Sequence, residues 1–126
     1  MNILGDIGNS EIKIFLVNSN NKIIKQISFP SKKINNKILL SKFGLLLTDF
    51  KKIEKILFCS VVPKSFDLVK KFLSKKIKKK CFEVKMLKLR SLINIKVNYK
   101  QVGSDRLTNA ISALNNKDNF IIIDLG

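Results

Sequence analysis

Cysteine, arginine and long apolar runs are all scarce in this sequence of 126 residues. The two cysteines, Cys59 and Cys81, lack the spacing of a metal-binding pair, and a secreted disulfide scaffold would carry more of them. No apolar run is long enough to cross a membrane, and the N-terminus lacks the charged and then apolar layout of a signal peptide. These absences predict a cytoplasmic protein that has no membrane partner.

Arginine is scarce even though the chain is strongly basic. Lys and Arg number 25 against 9 Asp and Glu, a formal net charge of +16, yet only Arg90 and Arg106 are arginines. Recognition of bases and phosphates in nucleic acid favours arginine, whose planar fork makes paired hydrogen bonds. The abundance of Ile, Asn and Lys is typical of an AT-rich genome. The run KKIKKK at 75–80 fits a solvated helix face, and a polyanion site is the alternative. A nucleic-acid partner is therefore not expected.

The apolar residues are numerous enough for the core of one domain, since hydrophobic residues make up 45% of the chain. Their spacing predicts elements in the order β-β-β-α-β-α-β-α-β. These elements are strands at 2–6, 11–17 and 22–29, a helix at 36–48, a strand at 55–62, a helix capped by Ser65 and ending near Lys78, a strand near 82–87, a helix at 104–115 and a strand at 119–125. Three antiparallel strands followed by crossover strands predict an α/β fold of the ribonuclease-H-like class, a mixed sheet with helices on its faces, as in one lobe of actin, Hsp70 or acetate kinase.

The first polar cluster in an apolar context is DIGNS at 6–10, between the first two strands. Glycine lets a ligand approach the backbone, tightly turned amides form an anion-binding concavity, and Asn9 and Ser10 add side-chain donors. Asp6 can reach a hydrated Mg²⁺ that accompanies a nucleotide, and Lys13 can screen phosphate charge. A plain hairpin turn is the alternative, because Gly and Asn are common turn residues, but such a turn gives no reason for Asp6.

The second cluster is QVGSDRLTNAISAL at 101–114, where an acid and an arginine stand together at the start of a predicted helix. Arg106 would bind a carboxylate through two hydrogen bonds, and Asp105 could accept a proton from a hydroxyl group. Capping of the helix by Ser104 or Asp105, with an incidental surface arginine, is the alternative.

The third cluster is FIIIDLG at 120–126, an apolar run that ends in Asp-x-Gly. It repeats the pattern of NILGDIG at 2–8. Two strands that each end in this way predict two loops that approach the phosphates of one nucleotide.

Four ordered motifs together resemble the type III pantothenate kinase family, and they span the whole chain. They are DIGNS at 6–10, CSVVP at 59–63, VGSDRLTNA at 102–110 and IIIDLG at 121–126. The resemblance implies ATP-dependent phosphorylation of pantothenate to 4′-phosphopantothenate, the first step toward coenzyme A. It also implies the use of Mg²⁺ and a monovalent cation, K⁺ or NH₄⁺, and a homodimer of the full-length protein.

The resemblance also assigns roles to residues. The candidates for binding ATP are Asp6, Ile7, Gly8, Asn9, Ser10, Glu11, Ile12 and Lys13. The candidates for binding pantothenate are Gly103, Ser104, Asp105 and Arg106. Asp105 would be the general base on the substrate hydroxyl, and Arg106 would hold the polar end of the substrate. Asp6 would contact Mg²⁺ through water, and Asp124 would hold the monovalent cation.

The sequence departs from the family pattern in three places. Ser10 stands where threonine is usual. The segment VNYKQVG at 97–103 looks one residue short and lacks a proline. It contains Tyr99, a further candidate for lining the substrate site. The threonine-rich continuation of the second phosphate loop and a second lobe have no counterpart in these residues. We therefore expect 1–126 to be an N-terminal lobe that is inactive by itself. Another small-molecule kinase, or a non-enzymatic regulator that binds nucleic acid, is the alternative.

Overall fold

The computed structural model describes residues 1–46, 50–114 and 121–123, and its strands and helices follow the predicted order. Within these ranges the strands and α-helices are β1 (Asn2–Ile7), β2 (Glu11–Val17), β3 (Ile23–Pro30), α1 (Asn36–Leu46), β4 (Lys55–Ser60), α2 (Pro63–Lys76), β5 (Cys81–Glu83) and α3 (Ser104–Ser112). Short 3-10 turns are formed by Ser31–Lys33, Phe50–Lys52, Val84–Met86 and Leu89–Ser91.

The five described strands form one mixed sheet in the order β3-β2-β1-β4-β5. The first three strands are antiparallel neighbours, whereas β4 pairs parallel with β1, and β5 pairs parallel with β4. Parallel neighbours require a crossover connection, which α1 supplies before β4 and α2 supplies before β5. The predicted α/β class, the mixed sheet and the three initial antiparallel strands are therefore confirmed.

Helices α1 and α2 cover one face of the sheet, which we call the helix-covered face. Alternate residues of β1, β2 and β4 are buried there with apolar side chains of both helices. The phenyl rings of Phe43 and Phe72 are 5.4 Å apart between their centroids, and those of Phe58 and Phe66 are 6.1 Å apart. Gly5 lies in the middle of β1 because the ring of Phe58 occupies the place where a side chain would stand. This face holds the main hydrophobic core.

The opposite face, which we call the open face, is covered over β4 but remains accessible over β1 and β2. A smaller cluster is buried there where α3 and the segment after β5 lie over β4, and it consists of Cys59, Val84, Leu89 and Leu107. Over β1 and β2 the same face carries Leu4, which is 40% exposed, and Phe15, which is half-buried. Side chains near the carboxyl end of β1 on this face are thus accessible to a ligand.

Two of the predicted local features are wrong. Helix α2 begins at Pro63, with Val62 as its N-cap residue and no side-chain cap, so Ser65 does not cap it. Proline suits the first helical turn because its fixed φ matches the helix and its missing amide would have had no partner there. The strand predicted near 82–87 ends at Glu83, since the Glu83 carboxylate accepts a hydrogen bond from the Lys85 amide and caps a 3-10 turn.

Helix α3 is shorter than predicted, because it ends at Ser112. Helix α1 is described as far as Leu46, and the last two positions of its predicted range, 47–48, lie outside the described residues. Of the strand predicted at 119–125, the structure describes residues 121–123, which are exposed and belong to no strand, and the other positions lie outside the described residues. None of the helices described in 1–46 and 50–114 has the length and apolar character needed to cross a bilayer.

Candidate active site

The loop between β1 and β2 is fixed by a serine from another part of the chain. The Gly8 amide donates to the Glu11 carbonyl at 3.0 Å, as a tight hairpin requires. Ser31, which is 6% exposed, donates from its Oγ to the Gly8 carbonyl at 2.6 Å and from its amide to the Ser10 carbonyl at 2.9 Å. Two carbonyl groups of the loop therefore point toward Ser31 and into the protein.

The amides of Asn9 and Ser10 are not used in hydrogen bonds within the described part of the chain. Both residues are exposed, and among the described residues no acceptor is found for either amide. Unused amides beside exposed polar side chains can bind an anion, which is the chemistry that the motif predicts. The Gly8 amide, in contrast, is already engaged with the hairpin.

Asp6 and Lys13 lie directly opposite each other on the open face, on β1 and β2. Both are exposed, and the Lys13 Nζ lies 3.5 Å from a carboxylate oxygen of Glu11. Ile7 and Ile12 are also neighbours across these strands, but their side chains are fully buried on the helix-covered face. Only the backbone of these two isoleucines can therefore face a nucleotide.

The start of α3 is held by side chains rather than by a helix cap. Gly103 is the N-cap residue and makes no side-chain cap, so the capping alternative for Ser104 and Asp105 is wrong. Ser104 is buried, and its hydroxyl donates a short hydrogen bond to the Glu83 carboxylate. The Asp105 carboxylate accepts from the Arg106 amide at 2.8 Å and occupies the space where a side chain at position 103 would stand. A side chain at position 103 would therefore have to displace the Asp105 carboxylate.

Asp6 and the helix that carries Asp105 both lie next to Cys59 on the open face. Cys59 lies directly opposite Asp6 in the pairing of β1 with β4, and it belongs to the same buried cluster as Leu107 of α3. Burial raises the pKa of the Cys59 thiol to about 11, and the negative charges of Asp6, Asp105 and Glu83 contribute to the rise.

A cavity of about 420 Å³ lies at the carboxyl ends of β4 and β5. The residues that line it include Ser60, Pro63, Phe66, Glu83, Gly103 and Ser104, and Asp105 is the next residue along the chain. Ligands of open α/β sheets bind outside the carboxyl ends of the strands, and the volume suits a small molecule. The arrangement can therefore place a small acceptor molecule beside a carboxylate and near an anion-binding loop.

Comparison with known proteins decides the family. A family model described as type III pantothenate kinase matches residues 2–126. The chain belongs to the type III pantothenate kinase family. The assignment predicted from the four motifs is thus confirmed.

Two curated type III pantothenate kinases illustrate the similarity. The chain is 61% identical over 127 aligned residues to that of Pelagibacter ubique (strain HTCC1062), and the match covers 100% of this chain and 51% of the relative. It is 35% identical over 135 aligned residues to that of Ehrlichia canis (strain Jake), and the match covers 96% of this chain and 48% of the relative. The chain spans about half the length of these relatives.

The remaining candidates for pantothenate kinase chemistry are not among the residues that line the cavity or lie outside the described residues. The Tyr99 hydroxyl donates to the Lys85 carbonyl at 3.3 Å, and the Arg90 guanidinium stacks over the Tyr99 ring at 5.3 Å from its centroid. Arg106 is exposed at the first turn of α3. Asp124 lies outside the described residues.

Three residues of the site were not predicted from the sequence. Ser31 and Glu83 act through contacts with residues 23 and 21 positions away, so no local spacing indicates them. Thr108 sits in the quoted motif VGSDRLTNA, and its position one helical turn after Ser104 was the available signal. Within the described part of the chain, no group of three or more His, Cys, Asp or Glu side chains is placed to hold a metal ion.

Proposed function

We propose that the full-length protein that contains this chain is a pantothenate kinase, which transfers the terminal phosphoryl group of ATP to a hydroxyl group of pantothenate. The observation that carries the proposal is that Asp6 lies opposite Cys59 at the end of β1, while α3, which bears Asp105, packs over Cys59 on the same face of the sheet. Membership of the family supports it over another small-molecule kinase or a nucleic-acid-binding regulator.

The loop after β1 binds the phosphates of ATP in this proposal. The unused amides of Asn9 and Ser10 and their side chains donate to phosphate oxygens, and Lys13 screens the phosphate charge. Mg²⁺ keeps several waters and is held mainly by the nucleotide, which fits the open position of Asp6 and a contact through water. Mg²⁺ neutralises phosphate charge during the transfer.

The start of α3 binds pantothenate and prepares its hydroxyl group. Asp105, half-buried next to the cavity, accepts the hydroxyl proton, and Arg106 binds the polar end of the substrate. Catalysis of phosphoryl transfer consists mainly of positioning and charge stabilisation, so the placement of Asp105 matters as much as its basicity. Gly103 and Ser104 complete this side of the cavity.

The proposal further includes a monovalent cation held by Asp124, a homodimer of the full-length protein and a location in the cytoplasm. These features follow from the resemblance to the family. Removal of K⁺ and NH₄⁺ from the assay described next tests the cation, and the mass of the purified full-length protein in solution tests the dimer.

A coupled assay for ADP with pantothenate, Mg-ATP and K⁺ tests the activity of the full-length gene product. We expect ADP formation that depends on pantothenate, and we expect residues 1–126 alone to show no measurable turnover. The matched control omits pantothenate, so that ATP hydrolysis without transfer is measured separately. Absence of pantothenate-dependent turnover in the full-length protein would contradict the proposed function, and turnover by residues 1–126 would show that one lobe suffices.

A further inference from the structure

A side-chain hydrogen bond connects the first turn of α3 to the sheet. From β5, the Glu83 carboxylate accepts the hydroxyl hydrogen of Ser104, which is 2% exposed. Within α3, the Thr108 hydroxyl donates to the Ser104 carbonyl at 2.8 Å. Ser104 takes part in both bonds, and Asp105 is the next residue.

Both oxygens of the Glu83 carboxylate are used. One accepts from Ser104, and the other accepts from the Lys85 amide at 2.8 Å. The second bond holds the carboxylate against the turn that ends β5, so the first bond connects α3 to a fixed part of the sheet rather than to a mobile side chain. Hydrogen bonds that a carboxylate accepts are about twice as strong as bonds between neutral groups.

We propose that Glu83 is a positioning residue. Its hydrogen bond to Ser104 fixes the position of the Asp105 carboxylate beside the cavity of about 420 Å³. Glu83 and Ser104 both line this cavity, and Asp105 folds back over Gly103 immediately next to them. A rigid connection matters here because a displacement of about 1 Å at a reacting group can cost about 100-fold in rate. The role of Asp105 in this inference rests on the proposed function, whereas the hydrogen bond between Glu83 and Ser104 is independent of it.

The test uses substitutions at both ends of the hydrogen bond in the full-length protein. Glu83→Ala should lower kcat about 10- to 100-fold and leave the KM for ATP nearly unchanged, because the loop after β1 is not altered. Glu83→Gln should restore most of kcat, since its amide can accept from Lys85 and donate to the Ser104 hydroxyl. Ser104→Ala should resemble Glu83→Ala, and the double variant should lose little more than either single variant.

The matched control is Asp67→Ala, which removes an exposed acidic side chain from α2 on the helix-covered side. It should leave kcat and both KM values unchanged. Rates are compared per folded molecule, well below the unfolding temperature, so that a loss of stability alone does not lower kcat. A normal kcat in Glu83→Ala, or additive losses in the double variant, would overturn the proposal.

Hydrogen exchange of the full-length protein separates this inference from the proposed function. In Glu83→Ala the amides at the start of α3 should exchange faster than in the parent protein, whereas those of α1 and α2 should not. If exchange is faster in Glu83→Ala but the parent protein shows no pantothenate-dependent turnover, the connection between Glu83 and α3 is supported and the proposed function is rejected. Unchanged exchange at the start of α3 would reject the connection, whatever the activity.

Discussion

The two faces of the sheet differ in burial and in the kind of side chain they hold, although they are built from alternate residues of the same strands. On the helix-covered face, Ile7 and Phe58 are completely buried under α1 and α2. One residue away on the open face, Asp6 is exposed and lies directly opposite Cys59. Since side chains alternate along a strand, a single step in sequence separates a residue of the core from a residue of the site. Stability and chemistry can therefore be changed independently in this fold.

The largest expected effect is on the open face, at Asp105. In the full-length protein, Asp105→Asn should lower kcat about 100-fold or more, because the amide cannot accept the hydroxyl proton. The free energy of unfolding and the Kd for ATP should stay close to their original values, since the loop proposed to bind ATP lies between β1 and β2 and not on α3. Steady-state kinetics and ATP titration measure the two quantities. Near-normal turnover would remove Asp105 from its role as general base.

The next largest effect is expected on the helix-covered face. Phe58→Ala should lower the free energy of unfolding of residues 1–126 by about 3–5 kcal/mol, because the neighbouring Gly5 has no side chain that could fill the space left by the ring. The matched variant is Phe15→Ala on the open face, where the ring is half-buried and the expected loss is about 1 kcal/mol. Urea unfolding measures both, and equal losses would contradict the difference between the two faces.

The difference between the faces also explains how far the sequence could be interpreted. Alternation of apolar residues predicted β1 to β4 and their order, because burial on one face repeats with a period that is visible locally. The hydrogen bond from Ser104 to Glu83 and those from Ser31 to the first loop join residues that only the folded chain brings together. Apolar spacing alone also predicted a strand β5 that is longer than the observed one. The turn after Glu83 depends on a carboxylate cap and not on hydrophobicity.

A smaller effect is expected at Arg106, on the exposed edge of the site. Arg106→Lys in the full-length protein should raise the KM for pantothenate about tenfold and change kcat little, because a lysine cannot make the paired hydrogen bonds of a guanidinium. Arg90→Lys is the matched control, since Arg90 stacks on Tyr99 away from the cavity. An unchanged KM in Arg106→Lys would remove this arginine from the substrate site.

The last comparison concerns the pH dependence of stability and the two cysteines, one on each face. Burial raises the pKa of both thiols from 9.0 to about 11, with nearby carboxylates adding to the rise at Cys59 and Lys70 opposing it at Cys81. Because the folded pKa lies above the unfolded value, the stabilisation is complete below pH 9 and is lost as the pH rises from about 9 to about 11.

Residues 1–126 should therefore lose stability between pH 8 and pH 10.5, and the double variant Cys59→Ala, Cys81→Ala should lose less over the same interval. The comparison of the two proteins isolates the contribution of the two cysteines, because all other residues are identical in both. A thiol reagent at pH 8 provides an independent measurement, because a buried neutral thiol reacts slowly. Both cysteines should react only after unfolding, and rapid reaction of Cys59 alone would mean that the cover provided by α3 opens readily while the helix-covered face stays closed.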